Sequence, residues 1–552
     1  MSDLSIFIVG AAGEGIQTIG DVMSRALMRQ GIRVFATSEF ESRIRGGNSS
    51  FRLRIGGINA PRQDADILLA LNPDAAAFYA DAARAGCLML GEVPPGGEGI
   101  EIPFRALARE QFGSPLFANS LAVGALGALF GLPSSALEDT LRAAFGTRGE
   151  DVLKANLEAL RLGQDKAKEA GSDERTFALH SSDETLSFAS VHEVIPIASA
   201  AAGCRIMVAY PMSPSTGIIT SFAKKPELGV FVEQAEDEIA AINMALGASA
   251  AGARAMTATS GGGYALMTEA VSLSGMTETP LVIVLAQRPG PATGLPTRTA
   301  QEDLLFALHG GHGEFARAIL APSDPQDAIE ATFRAFWLAE TYQIPVIVLT
   351  DQYLADSRFC MPELAIPSET VPLGLSDPEA HEDYQRYQLT EDGISPRLAL
   401  GQSEHLVRID SDEHTEAGHI TEDLEHVRPA MVEKRLEKLR RLKEEMILPD
   451  AYQTEDADTI LISWGSTRHA VREAVDRLMQ EGQRVGSLHF TDLWPLPQLR
   501  LPDTVAYWVV EGNATGQFAG ILEQVLGLQI QGRIGRYDGL PIDADTVLEA
   551  LT

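Results

Sequence analysis

The chain has 552 residues, of which 45% are hydrophobic, and its formal net charge at pH 7 is −32. At about 150 residues per domain, this length predicts three or four domains with sizeable cores. The excess of acidic residues argues against binding to nucleic acid or to an anionic membrane surface, because phosphate groups would repel the protein.

The three cysteines, Cys87, Cys204 and Cys360, lie far apart, and none belongs to a Cys-x-x-Cys motif. This spacing argues against a disulfide framework and against a cysteine-ligated zinc or iron–sulfur site in this chain. The start of the sequence lacks the basic and apolar segments of a signal peptide. No apolar run reaches the length of about 18 residues that a membrane-spanning helix needs. We therefore expect a cytoplasmic protein.

The first 175 residues are predicted to form an α/β domain that opens with a buried strand at 4–10. The turn Gly10-Ala-Ala-Gly-Glu-Gly15 leads into a helix, and a second strand follows at 34–40, as in a β-α-β unit. The glycine spacing, G-x-x-G-x-G, differs from that of dinucleotide-binding loops. The loop therefore serves either tight packing or the close approach of a ligand to the start of the helix.

Two further features of the first domain are charged. The segment Arg43-Ile-Arg-Gly-Gly-Asn48 is either a site for phosphate or carboxylate or a polar turn. Residues 164–184 are rich in Lys, Glu, Asp, Ser and Gly, a composition typical of linkers. We expect the first domain to end near residue 175 and the linker to occupy 176–187.

Residues 188–365 alternate helices with short apolar strands, which predicts a parallel sheet. The strands are expected at 205–209, 253–258, 280–286 and 345–350. Ligands of such sheets bind beyond the carboxyl ends of the strands. Three polar loops follow these strands and should meet at that edge: Tyr210–Thr216, Thr259–Gly263 and Gln287–Thr297.

Two features of this domain favour a binding site. The segment Tyr210-Pro-Met-Ser-Pro-Ser-Thr216 has a backbone stiffened by two prolines and carries three hydroxyls, which suits a small polar ligand. Glu238 begins a helix that is apolar nearly all round, so a buried carboxylate at a helix N-terminus is expected. The pattern leaves two interpretations of Glu238: a catalytic carboxylate, or an ordinary first-turn acid like the neighbouring Glu236 and Asp237.

Residues 366–455 differ from the rest of the chain in composition. Between 401 and 430 there are eight acidic residues and two basic ones. The four histidines between 401 and 430 follow no metal-binding spacing, so we expect a long ordered excursion with a solvated face rather than a metal site. They are His405, His414, His419 and His426. The excursion ends in a predicted amphipathic helix at 432–446, which should pack through the apolar stripe Leu436, Leu439, Leu442 and Met446.

A last α/β domain is predicted at 456–552, with strands near 459–464, 484–489 and 505–510. The loop at 511–517 follows the third of these strands. It contains no pair of residues that would serve as nucleophile and base.

Four motifs in this order resemble the alpha subunit of the 2-oxoacid:ferredoxin oxidoreductases. They are Tyr210–Thr216, Glu236–Ala241, Thr257–Gly263 and Arg288–Thr297. The resemblance extends over nearly the whole chain and is closest to the 2-oxoglutarate branch with a fused N-terminal gamma domain. It implies a multidomain α/β fold with a gamma domain at 1–175, a thiamine-pyrimidine-binding domain at 188–365 and a transketolase-C-terminal-like domain at 456–552.

The resemblance implies that 2-oxoglutarate and coenzyme A are interconverted with succinyl-CoA and carbon dioxide, with electrons exchanged with ferredoxin. The family uses thiamine diphosphate, and by the motif match Glu238 is the carboxylate that bonds N1′ of its aminopyrimidine. The matched cofactor-binding positions are Tyr210, Pro211, Met212, Thr259 and Gly261. The matched substrate-binding positions are Ser213, Arg288 and Thr297.

The sequence departs from the family pattern at three points and lacks two motifs. Ser213 stands where threonine is more common, Pro291-Ala-Thr293 replaces Pro-Ser-Thr, and the Gly10–Gly15 loop has fewer glycines than the family version. Neither the Gly-Asp-Gly motif that holds diphosphate and magnesium nor a cysteine set for a cluster occurs. The resemblance therefore implies a beta subunit that supplies Mg²⁺ and a [4Fe-4S] cluster in an (αβ)₂ assembly and that docks ferredoxin. Two alternatives stay open: another 2-oxoacid such as pyruvate, or a non-catalytic nucleotide-binding subunit.

Overall fold

The structure is a computed structural model, which describes residues 3–41, 47–93, 99–172, 177 and 179–551. The chain divides into two compact units. The first comprises Met1–Ala189 and Asp356–Leu364, and the second comprises Ser190–Ala355 and Ala365–Thr552. The multidomain α/β class predicted from the sequence is confirmed. None of the helices in the described ranges combines the length and apolar character that crossing a membrane requires.

The first unit is built on an eight-stranded sheet. Its strands are β1 (Leu4–Ala11), β2 (Val34–Phe40), β3 (Asn48–Ile55), β4 (Ala65–Ala70), β5 (Ala83–Gly91), β6 (Gly99–Glu101), β7 (Leu186–Ala189) and β14 (Ser357–Pro362), in the order β6-β5-β4-β1-β3-β2-β14-β7. The predicted β-α-β start is split, because β3 lies between β1 and β2 and is antiparallel to both. Two predicted segments differ in the structure: β7 includes the end of the 176–187 linker, and β14 comes from the 188–365 domain.

Six helices of the first unit have bounds in the described ranges. They are α1 (Ile16–Arg29), α2 (Pro73–Phe78), α3 (Phe104–Phe112), α4 (Ala118–Leu129), α5 (Ser134–Phe145) and α6 (Glu150–Glu169). Two glycines let α4 and α6 approach closely: an added Cβ at Gly124 would lie 2.0 Å from the Leu160 carbonyl oxygen, and one at Gly163 would lie 2.1 Å from that of Leu121. The charged segment at Arg43–Asn48 lies mostly outside the described residues, since 42–46 are not described.

The second unit contains the predicted parallel sheet, which is confirmed. Its strands are β8 (Ile206–Ala209), β9 (Phe231–Gln234), β10 (Ala255–Thr259), β11 (Leu281–Gln287), β12 (Ala318–Leu320), β13 (Pro345–Asp351) and β18 (Asp492–Trp494), in the order β18-β12-β13-β11-β10-β8-β9. Every neighbouring pair is parallel except β12 and β18. The sequence analysis missed β9 and β12, because β9 is partly polar and exposed and β12 has three residues.

Seven helices in the described residues accompany this sheet, and most of them connect its parallel strands. They are α7 (Val191–Ala201), α8 (Thr216–Ala223), α9 (Glu238–Ala250), α10 (Gly261–Thr277), α11 (Leu304–His309), α12 (Pro325–Tyr342) and α13 (Gln352–Asp356). Short 3₁₀ turns lie at Ala80–Ala82, Pro115–Phe117, Gly146–Arg148, Pro226–Leu228, Pro378–Ala380 and Gly465–Thr467.

The remainder of the second unit holds the excursion and a smaller sheet. Helix α14 (Val427–Leu442) ends the excursion. The five strands of the sheet are β15 (Asp450–Tyr452), β16 (Thr459–Trp464), β17 (Val485–Phe490), β19 (Ala506–Glu511) and β20 (Ile530–Gly535), with helices α15 (Arg468–Gln480), α16 (Gln517–Leu526) and α17 (Ala544–Leu551). The sheet order is β15-β17-β16-β19-β20, and β15 alone among these strands is antiparallel to its neighbour.

In the described part of the chain no group of three His, Cys, Asp or Glu side chains is arranged to hold a metal ion.

Helix α14 packs differently from the prediction. It begins at Val427 rather than near 432. Of the four predicted packing residues, Leu442 and Met446 are buried, but Leu436 and Leu439 are only half-buried. Lys434 and Lys438 point inward instead, because Glu278 at the C-terminal end of α10 is buried beneath them. The Glu278 carboxylate lies 2.6 Å from the Lys434 ammonium and 2.5 Å from the Lys438 ammonium.

The ion cluster around Glu278 attaches the excursion to α10. Burial by itself would raise the pKa of Glu278, but Lys438 and Lys434 hold it far below its usual value. Burial lowers the pKa of Lys438 to about 8, against the opposing effect of Glu278. Arg386, also in the excursion, donates hydrogen bonds to the carbonyl oxygens of Thr277 and Glu278, where the negative end of the helix dipole favours a cation.

A second buried ion cluster holds the start of the excursion. Glu340 of α12 lies between Arg254 and Arg397, and all three side chains are buried. Arg254 also donates to the carbonyl oxygens of Val371 and Pro372, at 3.2 and 2.9 Å. Buried charges are tolerated when every partner is in place. The excursion is therefore an ordered part of the second unit.

We expect Glu278→Gln to reduce the free energy of unfolding by about 3–5 kcal/mol, because it leaves Lys434 and Lys438 buried without their counter-ion. Urea denaturation of the purified protein would measure the loss, and limited proteolysis within 366–450 should accelerate. Glu437→Gln is the matched control, since Glu437 lies on α14, the helix of the two lysines, and pairs with an exposed arginine at the surface. Equal stability of the two variants would contradict the role given to the cluster.

Candidate active site

The three predicted loops meet at one edge of the seven-stranded sheet. Strands β8, β10 and β11 are consecutive neighbours in that sheet, and they are parallel. Because parallel strands end at the same edge, the loops that follow them emerge side by side. The expectation that Tyr210–Thr216, Thr259–Gly263 and Gln287–Thr297 converge is thus confirmed by the topology.

Glu238 is the first residue of α9 and is nearly inaccessible, with 3% of its surface exposed. Asp237 caps the helix by accepting a hydrogen bond from the Ala240 backbone N–H at 2.7 Å. This cap leaves the Glu238 side chain free of a capping role. Among the residues that the structure describes, Oε1 of Glu238 is buried without a hydrogen-bond partner. A buried carboxylate oxygen of this kind is costly unless a ligand completes it.

The first turn of α10 consists of three glycines that adjoin the Glu238 carboxylate. An added Cβ at Gly263 would lie 2.6 Å from Glu238 Oε1 and 2.1 Å from Thr259 Oγ1, so no larger residue fits there. At Gly262 the nearest atom to an added Cβ would be Met212 Cε, at 3.6 Å. The structure therefore brings Met212, Thr259 and Glu238 together around the glycine turn.

Arg288 connects the loop after β11 to the loop after β8. Its guanidinium donates a hydrogen bond to the Ser213 carbonyl oxygen at 2.7 Å. Burial lowers the pKa of Arg288, and Asp303 opposes this effect. The β8 loop is itself rigid, because the Met212 carbonyl oxygen accepts bonds from Ser215 Oγ at 2.7 Å and from the Thr216 backbone N–H at 3.2 Å.

The other predicted site residues differ in how closely they join this group. Tyr210 is exposed and Pro211 is half-buried at the end of β8, next to the Met212–Ser213 segment. Gly261 is the first residue of α10. Thr297 lies farther along the Arg288 loop, and in the described residues it shares no hydrogen bond with Arg288 or Ser213.

Asp303 is a site residue that the sequence analysis missed. Its Oδ2 is buried and, within the described ranges, has no hydrogen-bond partner. An added Cβ at Gly261 would lie 2.6 Å from that oxygen. Burial and the neighbouring Glu302 raise the pKa of Asp303 to about 6, while Arg288 opposes them. The acid pair directly before α11 is the signal that could have pointed to it.

Gln301 was missed as well, and it anchors the segment that carries Asp303. Its side chain donates to the Trp464 carbonyl oxygen at 2.9 Å and accepts from the Gly512 backbone N–H at 2.8 Å. Asn513 donates to the Gln301 carbonyl oxygen at 3.0 Å. The loop at 511–517, which contains no nucleophile–base pair, thus holds the segment that follows the Arg288 loop.

Comparison with known proteins identifies the family. Residues 197–434 match the model described as pyruvate flavodoxin/ferredoxin oxidoreductase, thiamine diP-binding, and residues 5–166 match the model described as pyruvate ferredoxin/flavodoxin oxidoreductase. The chain is 30% identical to the 2-oxoacid:ferredoxin oxidoreductase 2 alpha subunit of Aeropyrum pernix, over 98% of this chain and 96% of the relative. The chain belongs to the 2-oxoacid:ferredoxin oxidoreductase family.

Two further relatives of this oxidoreductase carry more specific names. The 2-oxoglutarate synthase subunit KorA of Methanothermobacter thermautotrophicus is 36% identical over 61% of this chain and 92% of its own length. A structure of 2-oxoglutarate:ferredoxin oxidoreductase from Magnetococcus marinus, with 2-oxoglutarate, coenzyme A and succinyl-CoA bound, superposes with a TM-score of 0.90. That match has 32% identity and covers 100% of this chain and 99% of the other. The family resemblance drawn from the four motifs is confirmed.

We expect Gly263→Ala to destabilise the protein by about 1–3 kcal/mol, because the new methyl group collides with Thr259 and the Glu238 carboxylate. Gly262→Ala is the matched control, since the nearest atom to its added methyl lies at ordinary contact distance. Alanine also has the higher helix propensity, so Gly262→Ala should keep or raise the thermal midpoint. Differential scanning calorimetry of both variants measures the contrast, and equal midpoints would contradict the packing described here.

Proposed function

We propose that this chain is the alpha subunit of a thiamine-diphosphate-dependent 2-oxoglutarate:ferredoxin oxidoreductase. The enzyme would interconvert 2-oxoglutarate and coenzyme A with succinyl-CoA and carbon dioxide and exchange electrons with ferredoxin. The observation that carries the proposal is the buried, unpartnered Glu238 oxygen beside the glycine turn. The names of the Methanothermobacter and Magnetococcus relatives support 2-oxoglutarate over pyruvate or another 2-oxoacid.

The residues around Glu238 fit the aminopyrimidine ring of thiamine diphosphate. Glu238 Oε1 offers the acceptor that would share a proton with N1′ of the ring, and Gly263 leaves the space beside it free of a side chain. When bound, the cofactor supplies the carbon centre at which a 2-oxoacid loses carbon dioxide. Glu238 would hold the proton at N1′ and so activate the cofactor. The surrounding wall would comprise Tyr210, Pro211, Met212, Thr259 and Gly261.

We assign the substrate carboxylate to Arg288, with Ser213 and Thr297 as hydroxyl donors. A guanidinium is planar and permanently charged, which matches a carboxylate better than an ammonium does. The hydrogen bond from Arg288 to the Ser213 carbonyl oxygen supports this assignment, since it orients the guanidinium at the loop that carries the serine hydroxyl. A partly buried site strengthens the attraction between the two charges.

A beta subunit is proposed to complete the site with the diphosphate-binding half, Mg²⁺ and a [4Fe-4S] cluster, and to dock ferredoxin in an (αβ)₂ assembly. The names of the relatives as alpha subunits support a partner chain. Ile239, Leu266 and Leu305 support it as well, because these apolar side chains are exposed near the first turns of α9, α10 and α11. Exposed apolar residues close to a site are typical of a surface that a partner covers.

We further propose that the first unit binds the anionic part of coenzyme A in a cavity of about 760 Å³ along α1. Arg25, Arg29 and Arg148 line it together with Gly13 and Gly15. Asp21 lines the cavity as well, so three arginines stand against one acid in a chain with a net charge of −32, and arginine is well suited to phosphate. Gly15 has a φ of 88°, and an added Cβ would lie 2.0 Å from Asn119 Nδ2.

On the other side of the Gly10–Gly15 loop, the side chain of Glu14 occupies the space beside the backbone. The Glu14 carboxylate accepts hydrogen bonds from the Ala11 backbone N–H at 2.8 Å and from Asn72 Nδ2 at 2.6 Å. It also pairs with Arg105. Phosphate oxygens would compete with this carboxylate, so the arginine-lined cavity is the better candidate for an anion.

The cysteines support a reducing cytoplasm as the location of the enzyme. Cys87, Cys204 and Cys360 are all unpaired. Burial raises the pKa of Cys204 to about 12, which keeps it as an unreactive thiol. Free thiols without a disulfide are typical of cytoplasmic proteins.

We expect Glu238→Gln to reduce the activity of the assembled enzyme by about 10²–10⁴-fold, because an amide cannot hold the N1′ proton as a carboxylate does. Coenzyme-A-dependent viologen reduction with 2-oxoglutarate and with pyruvate measures both the loss and the substrate preference. Glu236→Gln, two residues earlier and exposed, is the control that should retain activity. Full activity of Glu238→Gln would refute the assignment of Glu238, and a preference for pyruvate would refute the substrate.

We expect Arg25→Ala to raise the KM for coenzyme A by about tenfold, the effect of losing one charge-assisted hydrogen bond. The KM for 2-oxoglutarate should not change. Arg109→Ala, an exposed arginine of α3 that does not line the cavity, is the matched control. Steady-state kinetics with coenzyme A varied at saturating 2-oxoglutarate tests the difference, and an unchanged KM in Arg25→Ala would remove the cavity as a candidate.

A further inference from the structure

Asp303 is held in a fixed position against the glycine turn of α10. An added Cβ at Gly261 would lie 2.6 Å from Asp303 Oδ2 and 2.7 Å from Oδ1, so the carboxyl group sits directly against the helix start. The Asp303 backbone N–H donates to Gln287 Oε1 at 3.0 Å. Two residues earlier, Gln301 is anchored to Trp464 and Gly512. These bonds fix the backbone that carries the carboxyl group beside the first turn of α10.

The charges that act on Asp303 come from three places in the fold. Arg288, at the end of β11, attracts the carboxylate, and Glu302, on the same segment as Asp303, repels it. The first turn of α10 contributes the partial positive charge of a helix N-terminus through Gly261. Helix α16 contributes the uncharged Gln517, which donates to the Glu302 carbonyl oxygen at 2.7 Å. Two hydrogen bonds hold the Asp303 segment against the Arg288 loop: Asp303 N–H donates to Gln287 Oε1 at 3.0 Å, and Gly290 N–H donates to Glu302 Oε2 at 2.9 Å. Arg288 is thus the cation that attracts Asp303 through space.

We propose that Asp303 is a positioning residue of the 2-oxoacid site and takes up one proton from solvent when the substrate carboxylate binds to Arg288. The proposal rests on the proposed substrate-binding role of Arg288. In the empty site Arg288 attracts one carboxylate through space, and a bound 2-oxoacid places a second carboxylate on the guanidinium itself. Two carboxylates brought close to one partly buried cation resist joint ionisation, so one of them gains a proton. The unpartnered Asp303 Oδ2 is the oxygen available to receive it.

Proton uptake on substrate binding fixes the direction in which the affinity changes with pH. The empty site keeps Asp303 largely ionised at neutral pH, since its pKa is about 6. Substrate binding that consumes a proton becomes weaker as the pH rises, by up to about tenfold in Kd per pH unit. A neutral Asp303 also leaves Arg288 fully available to the substrate. The site would therefore hold its anionic substrate more tightly at pH 6.5 than at pH 8.

The test uses the assembled holoenzyme with Glu238→Gln, so that bound 2-oxoglutarate is not turned over. Isothermal titration calorimetry of 2-oxoglutarate at pH 7, in buffers of different ionisation enthalpy, counts the protons taken up. We expect close to one proton per bound 2-oxoglutarate, and a Kd that rises between pH 6.5 and 8. With Asp303→Asn added, the uptake should disappear and the Kd should become independent of pH over that range.

Asp351→Asn is the matched control in the same background. Asp351 is another buried aspartate whose pKa burial raises to about 6, but its partners are Ser466 and the Leu354 backbone N–H. This variant should keep the proton uptake. Uptake that persists in Asp303→Asn, or that vanishes equally in Asp351→Asn, overturns the proposal. A Kd that stays constant from pH 6.5 to 8 while Asp303 is unchanged also overturns the proposal. That result does not depend on whether any further variant folds.

Arg288→Gln separates this proposal from the function on which it rests. If Arg288→Gln leaves the affinity for 2-oxoglutarate unchanged, the substrate role of Arg288 is wrong and the coupling falls with it. If Arg288→Gln weakens binding while Asp303→Asn still takes up the proton, the substrate role stands and the coupling alone is wrong.

Discussion

The carboxylates of Glu238 and Asp303 both lie against the first turn of α10, and the candidate active site depends on that arrangement. Glu238 lies beside Gly263 and Asp303 beside Gly261, so α10 must begin with glycines for either acid to fit. Both carboxylates keep an oxygen without a protein partner in the described residues. Such oxygens cost free energy in the isolated chain. The cost is offset when a ligand or a proton completes them, which is why these positions point to function.

The loops at one edge of the parallel sheet lie next to the first turn of α10. Strands β8, β10 and β11 end side by side, and the Arg288–Ser213 hydrogen bond then joins the two outer loops across the turn. The smaller sheet adds a support from outside, since Gly512 and Asn513 hold Gln301 in place. Residues 456–552 therefore contribute to the site by fixing a segment of another part of the chain rather than by supplying a reacting group.

Buried ions determine how the acidic excursion attaches to the second unit. Glu278 with Lys434 and Lys438, and Glu340 with Arg254 and Arg397, are charges removed from water and paired. Hydrophobic contacts of similar size would tolerate small shifts in register. Paired buried ions do not, because a lost partner leaves an uncompensated charge. Since Glu278 also ends α10, the excursion is fixed to the far end of the helix whose first turn adjoins Glu238.

The sequence by itself determined the features that depend on local patterns. Short apolar runs predicted β8, β10, β11 and β13, and the glycine and proline motifs after them placed the candidate loops at one edge. Glu238 was recognisable because a carboxylate at the start of an otherwise apolar helix has to be buried. The motif order was also sufficient to identify the family.

Only the tertiary structure decided the features that depend on partners distant in sequence. The predicted face of α14 was wrong at Leu436 and Leu439, because Glu278, more than 150 residues away, draws Lys434 inward. Asp303 was not among the site residues predicted from the sequence, and only the fold placed it against Gly261. Its anchor, Gln301, is explained by Gly512, which lies 211 residues further along the chain. A local pattern reports whether a residue can be buried, but the identity of its partner follows from the packing of the whole unit.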